Sequence, residues 1–248
     1  MSLSSERTKN IPVIESEVFE TYQSAHFAVG MVAVNGITIN GFNREFEGAA
    51  KLRTNTYLDM GFVDADDLDE NGTELNHDDN RSTHFVILER LAQAGFARVV
   101  GNMRLIVKKN EEPLPMEKFY PEVFTDALPP GSVEVSRLIS RHENVKIQSL
   151  LKWPLFIAGF KNVDEKKLCP VYGLLKSELV RSLVLQGVPV DPLAQEKYIH
   201  EINATKEPVE IDVARLKRVI SLTGDQGINV SQGGFSYLNL DPRKEELI

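Results

Sequence analysis

Apolar and polar positions follow two different periods along this chain, and the switches between them mark out its elements. The run Phe27-Ala-Val-Gly-Met-Val-Ala-Val34 is continuously apolar, as expected of a strand covered on both faces. From about Arg44 to Met60 the spacing becomes helical. Projected at about 100° per residue, Phe46, Ala49, Ala50, Tyr57 and Met60 form one apolar stripe, and Arg53 falls in its middle. A helix here turns that arginine inward. Thr83–Arg90 and Phe96–Val107 read as two strands joined through Ala92-Gln-Ala-Gly95, an antiparallel hairpin whose second strand is interrupted by Arg104. A short, Pro-punctuated helix at about Met116–Phe124 leads to the turn Pro129-Pro-Gly131 and a β-branched strand carrying Glu134 and Arg137. A helix from about Asn144 to Phe160, a strand at Cys169–Leu175, a helix at Ser177–Gln186 stopped by Gly187, and a late strand at Pro208–Ala214 complete the pattern.

With no internal repeat and no clean linker, the economical organisation is one α/β domain built on a mixed, mostly antiparallel sheet flanked by helices. Its expected bounds are residues 16–222, after a mobile leader at 1–15. A glycine-rich, partly ordered tail is expected at 223–248.

Composition narrows the partners. The net charge of −8 disfavours a nucleic-acid footprint, which needs clustered Lys and Arg. The single cysteine, Cys169, excludes a disulfide framework and suits a reducing cytoplasm; opening a buried strand, it is expected to be inert. No apolar run has the length of a membrane span, and Met1–Asn10 lacks the apolar region of a signal peptide, so a cytoplasmic location is expected.

The chemistry is concentrated in charges at inward positions. Glu134 and Arg137 are three residues apart, so regular alternation sends them to opposite faces, and only a β-bulge brings them together. Arg53, Arg104 and Arg137, with Asp79 and Glu134 as counter-charges, imply a buried polar cluster. Such a cluster is either a fold-specific ion network or the lining of a cleft for a charged substrate. His77, Asp78, Asp79 and His84 lack regular metal-ligand spacing and read as a loop and a strand start. Dinucleotide, P-loop and serine-hydrolase signatures are absent from the sequence.

Taken in order, these segments resemble the acyl-homoserine-lactone (autoinducer) synthases and the related long-chain N-acyl amino acid synthases, over roughly residues 45 to 190. In that family a helix arginine precedes an acidic Glu-x-Asp-x-x-Asp loop, a hairpin strand reading Gly-x-x-Arg-Leu, and a strand carrying Glu-x-Ser-Arg. Arg53, Glu74 and Asp79, Gly101-Asn-Met-Arg-Leu105 and Glu134-Val-Ser-Arg137 match these in turn. Asn76 stands in place of the middle aspartate, and Phe62 or Val63 in place of a characteristic tryptophan, which points away from autoinducer synthesis proper. Arg104-Leu-Ile and Pro113-Leu-Pro-Met-Glu-Lys-Phe119 look closer to the amino acid synthases and to acyltransferases associated with exosortase systems.

The resemblance implies a GNAT-like fold and transfer of a fatty acyl group to the amine of an amino acid or similar small acceptor, with no permanently bound cofactor and no metal. The chain lacks the Gly-rich loop that cradles coenzyme A pyrophosphate after Arg137, so the implied donor is a thioester of acyl carrier protein. Glu134 is the implied base. Arg53, Asp79, Arg104 and Arg137 are the implied acceptor-binding residues, and apolar side chains at 150–160 and 174–185 the acyl-pocket lining. Arg141, Lys146, Lys152 and Lys161, with Lys166 and Lys167, form a basic run for an acidic carrier. Two alternatives stay open: a short-chain acyl-coenzyme-A-dependent N-acetyltransferase, and a non-catalytic ligand-binding module on the same fold.

Overall fold

The structure, a computed structural model, describes residues 27–39, 41–90, 97–109, 112–185, 187–223 and 235–238. The expected leader at 1–15, the hairpin turn at 92–95 and most of the tail lie outside them. Ten strands form the sheet: β1 (Phe27–Val34), β2 (Ile37–Thr38), β3 (Ser82–Arg90), β4 (Ala97–Val107), β5 (Val133–Ser140), β6 (Val171–Leu175), β7 (Val190–Pro192), β8 (Lys197–Ile199), β9 (Ala204–Ile211) and β10 (Phe235–Leu238). Their order is β10-β1-β3-β4-β5-β6-β9-β7, with β2 paired to β1 and β8 to β9. The β5–β6 pair is parallel, and the other described pairs are antiparallel.

Helices cover both faces: α1 (Asn43–Asp59), α2 (Pro115–Phe119), α3 (Val145–Leu150), α4 (Lys152–Glu165), α5 (Ser177–Leu185) and α6 (Val213–Thr223). Strand alternation decides which residues meet which helix. Met103, Leu105, Val133 and Val135 face the main core with Leu155, Phe156 and Ile157 of α4, whereas Arg104, Ile106, Glu134 and Ser136 face the opposite side, where α1 packs. Full burial of each large apolar side chain is worth about 1.5–3 kcal/mol, so α4 is the principal clamp on the sheet. Gly159 lets it lie close: a Cβ there would run into the Met103 methyl group.

Three elements differ from expectation. The helix expected over 144–160 is two helices, because the ring of Pro154 clashes with a helical carbonyl at Leu150; proline sits instead in the first turn of α4. The helix expected to reach Phe124 ends at Phe119, since Tyr120 precedes Pro121 and leaves the helical region. The late strand stops at Ile211, and Asp212 accepts the Arg215 N–H at 2.9 Å at the start of α6, a helix where the sequence pattern predicts the end of a strand. α6 runs one residue past the expected domain boundary, and β10, in the expected tail, pairs with β1. Cys169 is exposed rather than buried, because the strand begins two residues later.

Two irregularities shape the centre of the sheet. Arg104 pairs with Ser136 but Asn102 with Ile139, so Arg137 and Leu138 together oppose one residue of β4, and Arg137 has φ of 56°. That is a β-bulge with its odd residue at Arg137. The second irregularity is a parting of strands. β5 and β6 pair only from Val133↔Val171 to Val135↔Gly173; beyond that they part, β5 staying paired with β4 and β6 with β9.

Candidate active site

The site is built on the α1 side of the sheet, around one carboxylate. Asp79 comes from the acidic loop, where Asn76 and Asp79 cap each other: Asp79 Oδ2 accepts the Asn76 N–H at 2.8 Å, and Asn76 Oδ1 accepts from the Asp78 N–H at 3.1 Å. Arg53, at the middle of the α1 stripe and 1 % exposed, grips Asp79 with both terminal nitrogens at 2.9 Å. Its Nε is 2.6 Å from Glu74 Oε2 but misaligned for a hydrogen bond, so that contact is Coulombic. Arg104 reaches Asp79 Oδ1 and Asn76 Oδ1 at 3.0 Å each, and its Nε donates to Ser136 Oγ at 3.0 Å. Burial alone would raise the Asp79 carboxyl, but Arg104 and Arg53 outweigh it and hold the group well below the usual carboxylate range.

His84 lies behind Asp79, its Nε2 3.4 Å from Oδ1, with its ring edge-on to Phe46. Burial, assisted by the two arginines against Asp79, pushes its pKa down to about 3, so the ring is neutral. Residues that superficially suggest a metal site have separate partners: His77 meets Glu112, Asp78 meets Arg81, and Asp79 the two arginines.

The bulge brings Arg137 to the same face. Its Nη2 donates to Glu74 Oε1 at 2.5 Å, and its guanidinium carbon lies 5.0 Å from the centre of the Tyr57 ring. Regular alternation would have pointed it into the α4 core. Glu134, level with the last paired stretch of β5 and β6, is 2 % exposed among Ile106, Leu114, Met116 and Tyr172. Its Oε2 accepts the Met116 N–H at 2.9 Å. α2 is held in place for this by Glu117, which accepts the Leu114 N–H at 2.7 Å and pairs with the buried Lys108 at 2.6 Å. Burial pushes Glu134 up to about 7, against the opposing Met116 amide and Arg104. A carboxyl that titrates near neutrality can both take and return a proton.

Glu134, Arg53, Asp79, Arg104 and Arg137 therefore share one face, joined by Glu74. The basic run does not gather there. Arg141 is half-exposed and paired with Asp59 at 2.5 Å, Lys152 starts α4, and Lys161 lines an open cavity of about 380 Å³ between α4 and α6 with Asp164 and Lys217. Lys166 and Lys167 follow the end of α4, and the Lys146 side chain lies outside the described part of the structure. Within the expected acyl lining, Leu155 and Phe156 fill the core whereas Val184 and Leu185 are 51 % and 86 % exposed. Sequence reasoning missed Tyr57 and Phe62 as site residues, and Lys176 and Lys206 entirely.

Neither a protein-family model nor a curated protein matches the sequence. Solved structures do match in shape. The coenzyme-A-dependent acyl-homoserine lactone synthase BjaI aligns with 16 % identity and a TM-score of 0.59, covering 87 % of this chain and 96 % of that one. FeeM, an N-acyl amino acid synthase from uncultured soil microbes, gives 14 % identity, a TM-score of 0.55, and 80 % and 99 % coverage. The acyl-homoserine lactone synthase LasI gives 15 % identity, a TM-score of 0.55, and 76 % and 91 %. The chain thus has the GNAT-like α/β fold of these proteins. Among the described residues, no helix is long and apolar enough to cross a membrane.

Asp79→Ala strands two buried guanidinium groups, so a urea melt should lose about 3–5 kcal/mol, whereas Glu122→Ala, which breaks an exposed pair with Lys197, should leave the urea midpoint nearly unchanged. Because the Asp79 pKa is depressed on folding, its stabilisation is complete above its unfolded value of about 3.9 and is lost as pH falls towards the folded value. Acid unfolding of Asp79→Ala should accordingly be less pH-dependent than that of the wild type.

Proposed function

We propose that the protein is an N-acyltransferase, moving a fatty acyl group from a thioester on acyl carrier protein to the amine of an amino acid or similar small acceptor. The observation that carries this reading is the Glu134 carboxyl, buried, pushed up to about 7, and one residue before the last β5–β6 pair, beyond which the two strands part. The likeness of fold to BjaI, FeeM and LasI supports acyl transfer as the chemistry.

In the proposed step Glu134, as carboxylate, takes a proton from the acceptor ammonium, directly or through water. The freed nitrogen pair attacks the thioester carbonyl, and the C–S bond breaks as the tetrahedral intermediate collapses. The intermediate gives up its second N–H proton to water, the sulfur leaves as thiolate and takes up the proton held by Glu134, and the products are the neutral amide and a thiol. Backbone N–H groups of β5 that face β6 beyond the end of their shared pairing are the proposed donors to the oxyanion. No metal is needed for these steps. The parting of the strands gives an extended thioester arm a way to the base.

Arg53, Asp79 and Arg104 satisfy one another, so their proposed role is to position: through the Arg104 contact to Ser136 they fix β5 on either side of the reacting group. Arg137, with its side chain 17 % exposed, is the proposed acceptor contact of the cluster. The donor has a second reading with an observation behind it, since BjaI is described as coenzyme-A-dependent. The absent pyrophosphate loop favours the carrier protein.

Glu134→Gln keeps an acceptor for the Met116 N–H but cannot take a proton, so single-turnover rates should fall about 10²–10⁴-fold with the melting temperature little changed. Because the base works as carboxylate, wild-type kcat/KM should rise with pH through about 7 to a plateau. Wild-type turnover by Glu134→Gln would exclude it as the base.

For the donor, kcat/KM with acyl carrier protein should exceed that with the matching acyl-coenzyme A. It should fall as salt rises, since charges around the docking surface act on encounter. Salt-insensitive turnover, or equal efficiency with coenzyme A, would assign the donor to coenzyme A.

A further inference from the structure

Beyond Arg137 the charge cluster continues into a second group of cations that the proposed chemistry does not use. The Arg137 guanidinium lies over Tyr57, whose ring meets that of Phe62 edge-on at 5.6 Å. Phe62 is in turn flanked by two ammonium groups, Lys176 Nζ at 4.5 Å and Lys206 Nζ at 5.8 Å from its centre. Strand register puts both lysines on the Glu134 side of the sheet. Glu134 pairs with Tyr172 and Tyr172 with Glu210; Lys176 and Lys206 lie an even number of residues from Tyr172 and Glu210.

Both lysines are half-buried, and neither has an acidic partner among the described residues. Elsewhere on this face the charges are matched, as Arg53 and Arg104 are with Asp79 and Arg137 with Glu74. Converging cations held at aromatic faces without an acid of their own are arranged for an anion from outside.

From this arrangement the geometry points to an oxyanion subsite formed by Lys176 and Lys206 around Phe62, next to the Arg137–Tyr57 contact. Resting on the acyltransferase reading, it would take a charged group of a substrate. Lys176 is four residues along from Tyr172, about 13 Å in an extended strand, so the group lies away from the reacting atoms. Two substrates carry such a group: the donor, in the phosphate of its phosphopantetheine arm, and the acceptor, in a carboxylate. Burial above all, then Lys176 and Arg137, push Lys206 down to about 8, a cost that a bound oxyanion relieves.

Titration calorimetry tests the subsite without any turnover, using two matched pairs of probes: pantetheine 4′-phosphate against pantetheine, and N-dodecanoylglycine against its amide. The wild type should bind the charged member of at least one pair tenfold or more tightly. Lys176→Met/Lys206→Met, its fold checked by circular dichroism, should lose that preference and keep the affinity for the neutral member. Loss confined to the phosphate pair assigns the subsite to the donor, and loss confined to the carboxylate pair to the acceptor. Equal wild-type binding of charged and neutral probes, or a preference that survives in the double variant, overturns the proposal. Charge-selective binding by a protein that transfers no acyl group would keep the subsite and discard the enzyme reading.

Discussion

The grip of Arg53 and Arg104 on Asp79 is the interaction on which the rest of the site depends. It joins three separate pieces of chain: α1, the acidic loop and β4. Each charge would be costly alone in this interior, and the three are stable only together. The second reach of Arg104, to Ser136, carries the constraint into β5. The network thus fixes the strand that holds Glu134 and Arg137, although its carboxylate and most of its guanidinium nitrogens are already engaged with one another or with their neighbours.

The second constraint is the bulge. One extra residue on β5, with Arg137 in the left-handed region, turns a side chain that alternation would bury against α4 towards Glu74 and Tyr57. Non-glycine residues pay of order 1 kcal/mol or more for such backbone, and here a charge-assisted hydrogen bond offsets the strain. Glu134, by contrast, follows regular alternation into a largely apolar niche whose one hydrogen-bond partner among the described residues is the Met116 amide. Arginines one residue-pair away and apolar walls around the carboxyl act in opposite directions, and the walls win. The result is a carboxylate network that stays ionised beside a carboxyl poised near neutrality.

How much of this was legible in the sequence depended on period. The α1 stripe with Arg53 at its centre, the charges interrupting β4 and β5, and the odd spacing of Glu134 and Arg137 all mark the same face, because a charge at an inward position needs a partner. The bulge was legible as a requirement but not in its position at Arg137. Lys176 and Lys206 were not legible, since one follows a strand, the other lies on an outward-alternating position, and lysines there read as ordinary surface. Phe62 joins them only through the fold. The break between α3 and α4 was written in Pro154, and α6 was hidden by reading Val213 and Ala214 as strand.

The account turns on a carboxyl that is buried yet not paired with a cation at hydrogen-bonding distance, and a direct titration reads that state. With glutamate labelled at the side-chain carbonyl carbon and Glu134 assigned by its loss in Glu134→Gln, carbon NMR should give a midpoint near 7 for this one group. A midpoint below about 5, in the ordinary range of an exposed glutamate, would contradict the account.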